Sequence, residues 1–513
     1  MRIVPLFFLS FLLLVQCSKP FNVNSHQKPL TEDYNDKLKP FYHGVASGDP
    51  YDDSVVIWTK VTPVQAGEIE VKWEISTDAN MNSIVNSGIM KTNSLDDYTT
   101  RVEVGGLLAD TRYFYRFSSN GHYSVIGRTK TLPTGTVDSL SIGVVSCSNY
   151  EWGYFNSYRK LAEKEVDFVL HLGDYIYEYG PGTYGDTTIG RKVRPPYEIL
   201  KLGDYRERYS QYRLDPDLNE IHRRHPFICI WDDHEVTNDS YTTGAQNHQE
   251  GEGDYSERKR AAKKAYYEWI PIRGESSDKH YRSFNIGSLA QLIMLDERLE
   301  GRTKPAESFN SINNESRMLG ETQLQWLYQQ MESSSSQWNI IGNSVIFSDL
   351  NLTGLRESKV NLDAWDGFPY EKNEILNFLN SNPAERTIFL TGDTHSSWAF
   401  QSPRSASQNG QNPVKQLLAM EFGTPSVNSG NSDERNSKEE VIAAQDKILA
   451  QNSHLKYVNL SDHGYMVLTL YRDGGKADWY YVDNLRSRQA NESLAKSVRF
   501  TVSEGSLNFI STE

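Results

Sequence analysis

A chain of 513 residues is too long for one compact hydrophobic core, so its length predicts two or three domains. Hydrophobic residues make up 38% of the sequence, which is enough to form a core in each of them. The 53 basic and 67 acidic residues give a net charge of -14, which excludes a general affinity for nucleic acids or anionic lipid surfaces.

Residues 1–17 have the features of an export signal. Arg2 supplies a positive charge, and the apolar run at 3–15 is too short to span a bilayer. Leu14-Val15-Gln16-Cys17 resembles the processing box of bacterial lipoproteins, in which Cys17 is acylated and becomes the first mature residue. Gln16 replaces the small residue that usually precedes this cysteine, which leaves simple secretion open. We expect an exported protein, lipid-anchored to the bacterial outer membrane or cell surface, with a periplasmic or secreted protein as the alternative.

Residues 18–38 are polar and predict a flexible tether, and residues 39–134 predict an all-β domain. Short strand patterns recur there at regular spacing, with turns such as Ser119-Asn120-Gly121 between them. Trp58 and Trp73 are candidates for its core. The pattern indicates an immunoglobulin-like or fibronectin-like sandwich with a structural role. The five strand patterns are SVVIWTKV, IEVKWEIS, TTRVEV, RYFYRF and YSVIGRTKTL.

The stretch at 141–179 predicts a strand, a helix and a second strand. Short β-branched apolar runs lie at 142–145 and 168–170, and between them apolar residues recur with the spacing of one helix face. Cys147 and Asp174 come directly after the two strands. Open α/β sheets place their ligands at the carboxyl ends of such strands, so this unit predicts a functional site.

The remainder of the second domain, 138–513, repeats this arrangement. Apolar runs typical of buried strands are followed by Asp232 and Asp233, by Asp296 and by Asp393. Amphipathic stretches at 255–269, 319–331 and 371–379 predict helices. The insertion at 181–224 and the tail after Gly430 are expected to cover or shape the mouth of the site. The sequence therefore predicts an α/β domain.

Five polar clusters follow the predicted strands. A strand-ending aspartate alone is often only a turn former or a helix cap, but five such clusters in one domain indicate a shared site. Their residue types fit two adjoining cations. One site, with a thiolate, a phenolate, a carboxylate and an imidazole, suits a trivalent or soft transition metal; the other, with carboxylate and amide oxygens, suits Ca²⁺, Mg²⁺ or Mn²⁺. The clusters are Ser146-Cys147-Ser148-Asn149, Gly173-Asp174-Tyr175-Ile176-Tyr177, Asp232-Asp233-His234-Glu235, Gly342-Asn343-Ser344 and Gly392-Asp393-Thr394-His395.

The order of these clusters resembles that of the binuclear metallophosphoesterases, with DDHE where they have GNHE and GDTH where they have GHxH. From Phe41 to about Ser429 the chain is more closely similar to the PhoD-like alkaline phosphatase and phosphodiesterase family. The resemblance implies a four-layer αββα catalytic domain after the all-β domain. The motifs that carry it are FYHGVASGDP, SVVIWTKV, HLGDYIYEYG, WDDHEVTND, AYYEWIPIR, LDER, DAWDGFPYEK, LTGDTHSSW and EFGTPSVNSG.

The resemblance also implies the metals and their ligands. Asp174 would bridge the two cations, and Asp233 and Asp393 would complete a Ca²⁺ site. A second Ca²⁺ is possible in this family, and the residue types alone leave Zn²⁺ or Mn²⁺ open. The implied Fe³⁺ ligands are Cys147, Asp174, Tyr177 and His395.

Three further residues match functional positions. Arg298 matches a family arginine that would contact substrate phosphate oxygens, with an ion pair to Asp296 or Glu297 as the alternative. His234 matches the leaving-group acid or phosphate binder of the superfamily. Asn343 stands where the superfamily has a metal-binding histidine.

Other residues near the clusters are interpreted as structural. His171 lies inside a predicted strand, and Cys229 lies inside an apolar run, so both are expected in the core. Asp232 points away from Asp233 if the chain there is extended, and it is expected to support the site rather than bind a metal.

The function implied by the resemblance is that of an exported, metal-dependent phosphoesterase, an alkaline phosphatase or phosphodiesterase that uses a metal-bound hydroxide. The alternatives are a lipid-anchored phosphoester-binding protein without turnover and a strict phosphodiesterase of the phospholipase D kind. A phosphatase using Cys147 as nucleophile is disfavoured, because Gly153 stands where a phosphate-binding arginine is needed. No G-x-S-x-G follows a predicted strand, which disfavours a serine hydrolase. We expect a monomer that binds membrane only through its lipid.

Overall fold

The structure is a computed structural model that describes residues 30–382, 386–403, 417–503 and 506–512. The predicted export signal, Cys17 and the tether as far as residue 29 lie outside the described residues. Within the described ranges, none of the helices combines the length and hydrophobicity that crossing a membrane requires.

The described residues form strands and helices that alternate through most of the chain. The strands are β1 Val45–Gly48, β2 Val55–Lys60, β3 Ile69–Ser76, β4 Ile84–Thr92, β5 Thr99–Val104, β6 Arg112–Ser119, β7 His122–Tyr123, β8 Gly127–Lys130, β9 Ser139–Val145, β10 Phe168–His171, β11 Pro226–Cys229, β12 Arg282–Ile286, β13 Ala290–Met294, β14 Trp338–Asn343, β15 Arg386–Thr391, β16 Ser397–Pro403, β17 Leu417–Gly423, β18 Leu455–Asn459, β19 Gly464–Tyr471, β20 Gly474–Val482, β21 Glu492–Ser503 and β22 Ser506–Thr512. The helices are α1 Asn156–Ala162, α2 Leu202–Arg213, α3 Pro216–Arg224, α4 Tyr255–Trp269, α5 Gly320–Ser333, α6 Pro369–Ser381 and α7 Lys438–Gln451.

Two large sheets pack face to face and form the centre of the molecule. The first has ten strands in the order β22-β21-β20-β19-β9-β10-β11-β1-β2-β5, and the second has seven in the order β12-β13-β14-β15-β17-β16-β18. Buried side chains from both sheets meet in one hydrophobic layer, for example Ile142 and Leu170 from the first sheet and Leu292 and Ile340 from the second. Apolar runs without alternation, such as those of β9 and β10, form strands that are covered on both faces.

Helices cover the outer face of each sheet. Tyrosines of α2 and residues of α1, α3 and α4 pack on the ten-stranded sheet. Leucines of α5 and α6 and residues of α7 pack on the seven-stranded sheet. Helix α4 begins after Asp254, whose carboxylate accepts from the backbone N–H of Ser256 at 2.8 Å, and it ends before Ile270-Pro271. The layers are therefore helix, sheet, sheet and helix, as the family resemblance implied.

The strands of the N-terminal all-β domain divide between two sheets. Strands β3, β4, β6, β7 and β8 form a separate five-stranded sheet. Strand β1 instead pairs in parallel with β11, and β2 and β5 follow it at the edge of the ten-stranded sheet. Residues of both sheets, among them Val55, Ile57, Val71 and Trp73, form the core between them. One sheet of the N-terminal sandwich is thus continuous with the rest of the ten-stranded sheet.

A buried ion pair fixes this junction. Asp49, just after β1, is fully buried, and its carboxylate accepts two hydrogen bonds from the guanidinium of Arg282 at 2.8 and 3.0 Å. The backbone N–H of Arg273 donates to the same carboxylate at 2.9 Å. Paired and fully hydrogen-bonded, these charges avoid the desolvation penalty of an unpaired buried ion.

The structure differs from the sequence prediction in several elements. Strand β4 is absent from the five predicted patterns, and the last pattern is broken into β7 and β8. About half of the insertion at 181–224 is not a cover over the site, because α2 and α3 pack on the ten-stranded sheet. The tail after Gly430 contributes α7 and strands β18 to β22, including one edge of the ten-stranded sheet.

The segment 483–491, between β20 and β21, ties several elements together. Its Leu485 accepts from the N–H of Tyr154 at 2.8 Å. Arg488 donates to Asp215 and Asp217 beside α3, at 3.0 and 2.6 Å. Arg486 pairs with Asp186 in the insertion at 2.5 Å. The tail therefore holds the insertion in place from the outside.

Candidate metal centre

The polar clusters converge because the strands before them run parallel and end at one edge. Cys147, Asp174 and Asp233 follow β9, β10 and β11, which pair in parallel in the ten-stranded sheet. Asp393 and His395 follow β15 of the seven-stranded sheet. Cys147, Asp174 and His395 each offer a ligand atom within 4.8 Å of the others. Residues up to 248 positions apart in sequence thus face one site.

Tyr177 joins this group through its hydroxyl. The phenol donates to the Oδ2 atom of Asp174 at 2.9 Å and lies 3.1 Å from the Nε2 atom of His395. The hydroxyl of Ser429 donates to the phenol oxygen at 2.8 Å. All four residues predicted to bind Fe³⁺ therefore lie together.

His395 has the form that metal binding needs. Its Nδ1–H donates to the carbonyl oxygen of Gly430 at 2.7 Å, which leaves Nε2 to face Tyr177. Burial lowers the pKa of His395 to about 4, so the ring is neutral near pH 7. The hydroxyl of Tyr184, from the insertion, lies 3.2 Å from Nδ1 and covers this side of the site.

A second group of ligands adjoins the first. Asp174, Asp233 and His234 each offer an atom within 4.8 Å of the others, so Asp174 is shared by both groups. The Nη2 atom of Arg298 lies 3.7 Å from a carboxylate oxygen of Asp233 and 3.6 Å from one of Asp393. The two aspartates predicted to bind Ca²⁺ therefore stand around one guanidinium nitrogen.

Arg298 is fully buried and forms ion pairs, but not with the partners considered from the sequence. Its guanidinium donates to Asp232 and, at 2.7 Å, to Asp363, and neither Asp296 nor Glu297 is its ion-pair partner. Asp296 instead accepts from the backbone N–H of Arg298 at 3.1 Å. The Nη2 atom of Arg298, which faces Asp233 and Asp393, has no hydrogen-bond partner in the described part of the chain, and contact of Arg298 with substrate stays a prediction.

Asn343 ends β14 and is fully buried. Its Oδ1 atom accepts from the indole N–H of Trp365 at 3.0 Å, and its Nδ2 atom donates to the carbonyl of Val345. Both ends of the amide are thus used within the protein. Its assignment as a metal ligand stays a prediction, and these contacts do not favour it.

A buried carboxylate orients His234. The Oε2 atom of Glu178 lies 2.6 Å from Nδ1 of His234. Its Oε1 atom accepts from the N–H of Asn238 at 2.8 Å and from the side chains of Thr237 and Asn247 at 3.1 and 2.8 Å. Burial alone would lower the pKa of His234, but Asp233 and Glu178 raise it well above its usual value. In the protein without metal, the surrounding carboxylates therefore favour the protonated form of His234 over the neutral form that could bind a metal.

The backbone at the predicted ligands has an uncommon conformation. Cys147, Asp174, Asp393 and His395 have φ angles of 60°, 56°, 61° and 61°. Non-glycine residues with positive φ cost about 1–3 kcal/mol each and persist only where the surroundings hold them. Hydrogen bonds between loops hold these conformations in place. The N–H of Cys147 donates to the carbonyl of Gly173 at 3.1 Å, and the N–H of Ser426 donates to the carbonyl of His395 at 3.2 Å.

The acidic groups of the site need positive charge beside them. Burial, with the nearby carboxylates, raises the pKa of Asp174 and Asp393 well above the usual range. Burial and then Asp174 raise the pKa of the Cys147 thiol. The Oδ1 atom of Asp174 is buried without a hydrogen-bond partner in the described part of the chain. Such groups are stable as anions only beside positive charge, and the thiol, phenol, imidazole and carboxylate set matches transition-metal ligation.

The expectations for the structural residues are confirmed. His171 is buried and its Nε2 lies 2.8 Å from the hydroxyl of Tyr158, and Cys229 is buried. Asp232 pairs with Arg298 and belongs to neither group of candidate ligands among the described residues.

Sequence reasoning missed residues that position the site. Arg208 of α2 is fully buried and donates to the carbonyls of Tyr177, Tyr179 and Arg194, the last two at 2.9 and 2.6 Å. Nothing in the pattern of α2 distinguishes this arginine. Glu178 directly follows Tyr177, a predicted ligand, and this position alone could have marked it as a candidate for orienting the site.

Comparisons with known proteins agree with the fold. A family model described as PhoD-like phosphatase matches residues 142–479, and one for the PhoD-like phosphatase N-terminal domain matches residues 26–133. Alkaline phosphatase D of Bacillus subtilis (strain 168) is 34% identical over 463 residues, which are 86% of this chain and 77% of that protein. A solved structure of PhoD superposes with a TM-score of 0.83 at 32% identity, covering 93% of each chain.

The metal-free protein should become less stable as the pH rises. Burial raises the pKa of Glu235 to about 7 and of Asp239 to about 8, in addition to Asp174 and Asp393. A carboxyl group whose pKa is higher in the folded than in the unfolded protein stabilises the folded state, and this contribution is complete below the unfolded pKa of about 4. The contribution is lost as the pH rises through the pKa of the folded state. Buried histidines such as His171 and His395, whose pKa burial lowers, oppose this trend only below their unfolded value of about 6.5. The urea midpoint of metal-stripped protein should therefore fall as the pH rises from about 6.5 to about 8.

Metal-loaded protein is the control for this measurement. Cations that bind the folded state should flatten the pH dependence and raise the midpoint at pH 8. The same slope with and without metal would contradict the assignment of a cation site to these carboxylates.

Proposed function

The chain belongs to the PhoD-like phosphatase family and is a phosphoric ester hydrolase, and from this premise we propose that it is an exported, metal-dependent alkaline phosphatase or phosphodiesterase. The observation that carries the proposal is that ligand atoms of Cys147, Asp174 and His395 lie within 4.8 Å of one another. The phenol of Tyr177 lies within hydrogen-bond distance of Asp174 and His395. These groups would hold Fe³⁺, and Asp174, Asp233 and Asp393 would hold one Ca²⁺ or more. The donor set alone leaves Zn²⁺ or Mn²⁺ open.

Bound cations would supply the positive charge that binds phosphoryl oxygens and activates a water for attack on phosphorus. The residues of this chain contribute the rest. Asp174 would lie between the cations, because a carboxylate offers two oxygens, and its free Oδ1 supports this. Arg298 holds the carboxylates of Asp233 and Asp393 against mutual repulsion, and its pairs with Asp232 and Asp363 fix it there.

His234 would act on the leaving group. Its cationic ring, oriented by Glu178, has a proton to donate to the departing ester oxygen or to a phosphoryl oxygen. The rings of Tyr177 and Tyr179 lie 4.3 and 5.6 Å from the His234 ring, centroid to centroid, and limit its movement.

The proposed location rests on the amino-terminal sequence. Arg2, the apolar run at 3–15 and Cys17 support export and acylation at Cys17. A lipid at that position would attach the protein to the outer membrane or cell surface through a tether.

The first prediction concerns turnover. Metal-loaded protein should hydrolyse a chromogenic phosphomonoester or bis-ester, and chelation of calcium should abolish the reaction because the carboxylates then lack the charge that binds phosphate. Release of the chromophore measures both. Restoration by added Ca²⁺ is the control, and no turnover of either ester by metal-loaded protein would favour a binding protein over an enzyme.

The second prediction concerns iron. Replacing Cys147 with Ala removes the one thiolate of the candidate site, so iron content and the charge-transfer colour should both be lost. Elemental analysis and the visible spectrum measure these. Cys229→Ala is the matched control, because that thiol lies in the core, and unchanged iron in Cys147→Ala protein would refute the ligand assignment.

The third prediction concerns the anchor. Protein expressed in a bacterium should partition into the detergent-rich phase and carry an acylated amino-terminal cysteine, whereas Cys17→Ala protein should remain aqueous. Mass spectrometry of the amino-terminal peptide identifies the lipid. A mature terminus that lacks acyl chains would show secretion without an anchor.

A further inference from the structure

A third group of potential ligands lies outside the candidate metal centre. Asp433, Glu434 and His463 each offer an atom within 4.8 Å of the others. Asp433 and Glu434 come from the loop before α7, and His463 directly precedes β19. The two acidic residues are exposed, whereas the side chain of His463 is only 8% exposed. The third group therefore joins a buried imidazole to carboxylates that reach the surface.

The hydrogen bonds of His463 determine which of its ring nitrogens is free. Nδ1 lies 2.8 Å from the hydroxyl oxygen of Ser426. That hydroxyl has a single proton, which it donates to the carbonyl oxygen of Ser429 at 2.8 Å. Because the hydroxyl can then only accept from the ring, Nδ1 carries the N–H. In the neutral ring, Nε2 has a lone pair that points into the third group.

This lone pair faces an acceptor. Nε2 of His463 lies 3.1 Å from Oε1 of Glu434, and an ionised carboxylate has no proton to donate. Two lone pairs would thus oppose each other, unless the ring takes a second proton or a cation lies between the two atoms. A proton would leave the third group with one net negative charge, because Asp433 adds a second carboxylate. A divalent cation with two carboxylates and a neutral imidazole has no net charge.

The spacing of the two atoms also fits ligation. Zn²⁺ binds imidazole nitrogen and carboxylate oxygen at about 2.0–2.2 Å, so two such atoms are about 3.0 Å apart in an octahedral site and about 3.4 Å apart in a tetrahedral one. The 3.1 Å between Nε2 of His463 and Oε1 of Glu434 lies between these values. The imidazole favours a transition metal over Ca²⁺ or Mg²⁺, which prefer oxygen ligands.

The loop 426–431 connects the third group with the candidate metal centre. On the side of the metal centre, the hydroxyl of Ser429 donates to the phenol oxygen of Tyr177 at 2.8 Å. The carbonyl of Gly430 accepts from Nδ1–H of His395 at 2.7 Å. This one loop therefore orients two of the predicted iron ligands.

The third group holds both ends of this loop. Ser426, at its start, accepts from Nδ1–H of His463 at 2.8 Å. The N–H of Asn431, at its end, donates to Oε2 of Glu434. A cation bound to Glu434 and His463 would fix both side chains, and through them the loop.

We infer that Asp433, Glu434 and His463 bind a divalent transition-metal ion of the Zn²⁺ type, which holds loop 426–431 and its contacts with His395 and Tyr177 in place. Water would complete the coordination, because both acidic residues are exposed. Neither ester hydrolysis nor the metals of the candidate metal centre enter this inference, so it holds or fails independently of the proposed function.

The first test counts zinc in three purified proteins: the wild type, Asp433→Asn and Asp462→Asn. Asp462→Asn is the matched control, because Asp462 adjoins His463 and accepts from Asn459 at 2.7 Å but is not a member of the third group among the described residues. After dialysis against Zn²⁺ at a concentration that saturates the wild type, elemental analysis measures zinc, iron and calcium. The wild type and Asp462→Asn should hold one zinc more per chain than Asp433→Asn, with the same iron and calcium in all three.

Calorimetric titration with Zn²⁺ measures the affinity. Loss of one carboxylate in Asp433→Asn should weaken binding of this ion by about 100-fold. Asp433→Glu keeps a carboxylate and should recover part of the affinity. Equal zinc content and affinity in the wild type and Asp433→Asn would overturn the inference, because a protonated His463 paired with Glu434 would then account for their contact.

The second test measures amide hydrogen exchange in a peptide that covers residues 426–431. At a Zn²⁺ concentration 100 times the Kd, exchange that requires opening of this loop should slow by up to about 100-fold in the wild type and in Asp462→Asn. Asp433→Asn should show no change at the same concentration. Zinc binding that leaves this exchange unchanged in the wild type would overturn the hold of the ion on the loop.

Discussion

The burial of several acidic groups in one small volume is the constraint on which the rest of this structure depends. Asp174 and Asp233 are buried with a thiol and a phenol, where water cannot solvate their charges, and Asp393 beside them is only half-buried. Without positive charge, such groups repel one another and bind protons instead. Burial would raise the pKa of Asp233, but Arg298, His234 and the backbone N–H of Asp239 together lower it to about 2. The pKa of Asp174 and of Asp393 stays raised. The remaining imbalance is the physical argument for the metal ions that we propose at this site.

The fold also holds the predicted ligand groups in position without a bound cation. Positive φ angles at four of the predicted ligands turn the chain sharply just after a strand. Gly173 makes one of these turns possible: with φ of +104°, a Cβ there would lie 2.4 Å from the Cβ of Asp232. Around the turns, Arg208 binds carbonyls of the Tyr177 loop and Glu178 binds His234. The large buried sheets provide the stability that offsets this local strain.

The sequence predicted the parts of the molecule in which local pattern and burial agree. Helix α4 begins and ends at the predicted residues, and β3 and β5 match their predicted patterns, since their apolar residues have the right period. The ligand clusters were identified from strand ends and a family resemblance. The partners of Arg298 could not be read from its neighbours in the chain, because Asp363 is 65 positions away and is brought close only by folding. The same holds for Arg208 and Ser429, which act through backbone or hydroxyl contacts that leave no periodic signal.

The ten-stranded sheet, which both domains share, limits how the two domains could be separated during evolution. The two family models divide the chain between residues 133 and 142, yet hydrogen bonds of β1 with β11 cross that division. Without β1, strand β11 would present an open parallel edge, which is a template for aggregation. The amino-terminal module therefore supplies a strand that the sheet of the second domain needs. Recombination at the apparent boundary would separate two paired strands and leave both parts incomplete, so we expect the two parts to be inherited together.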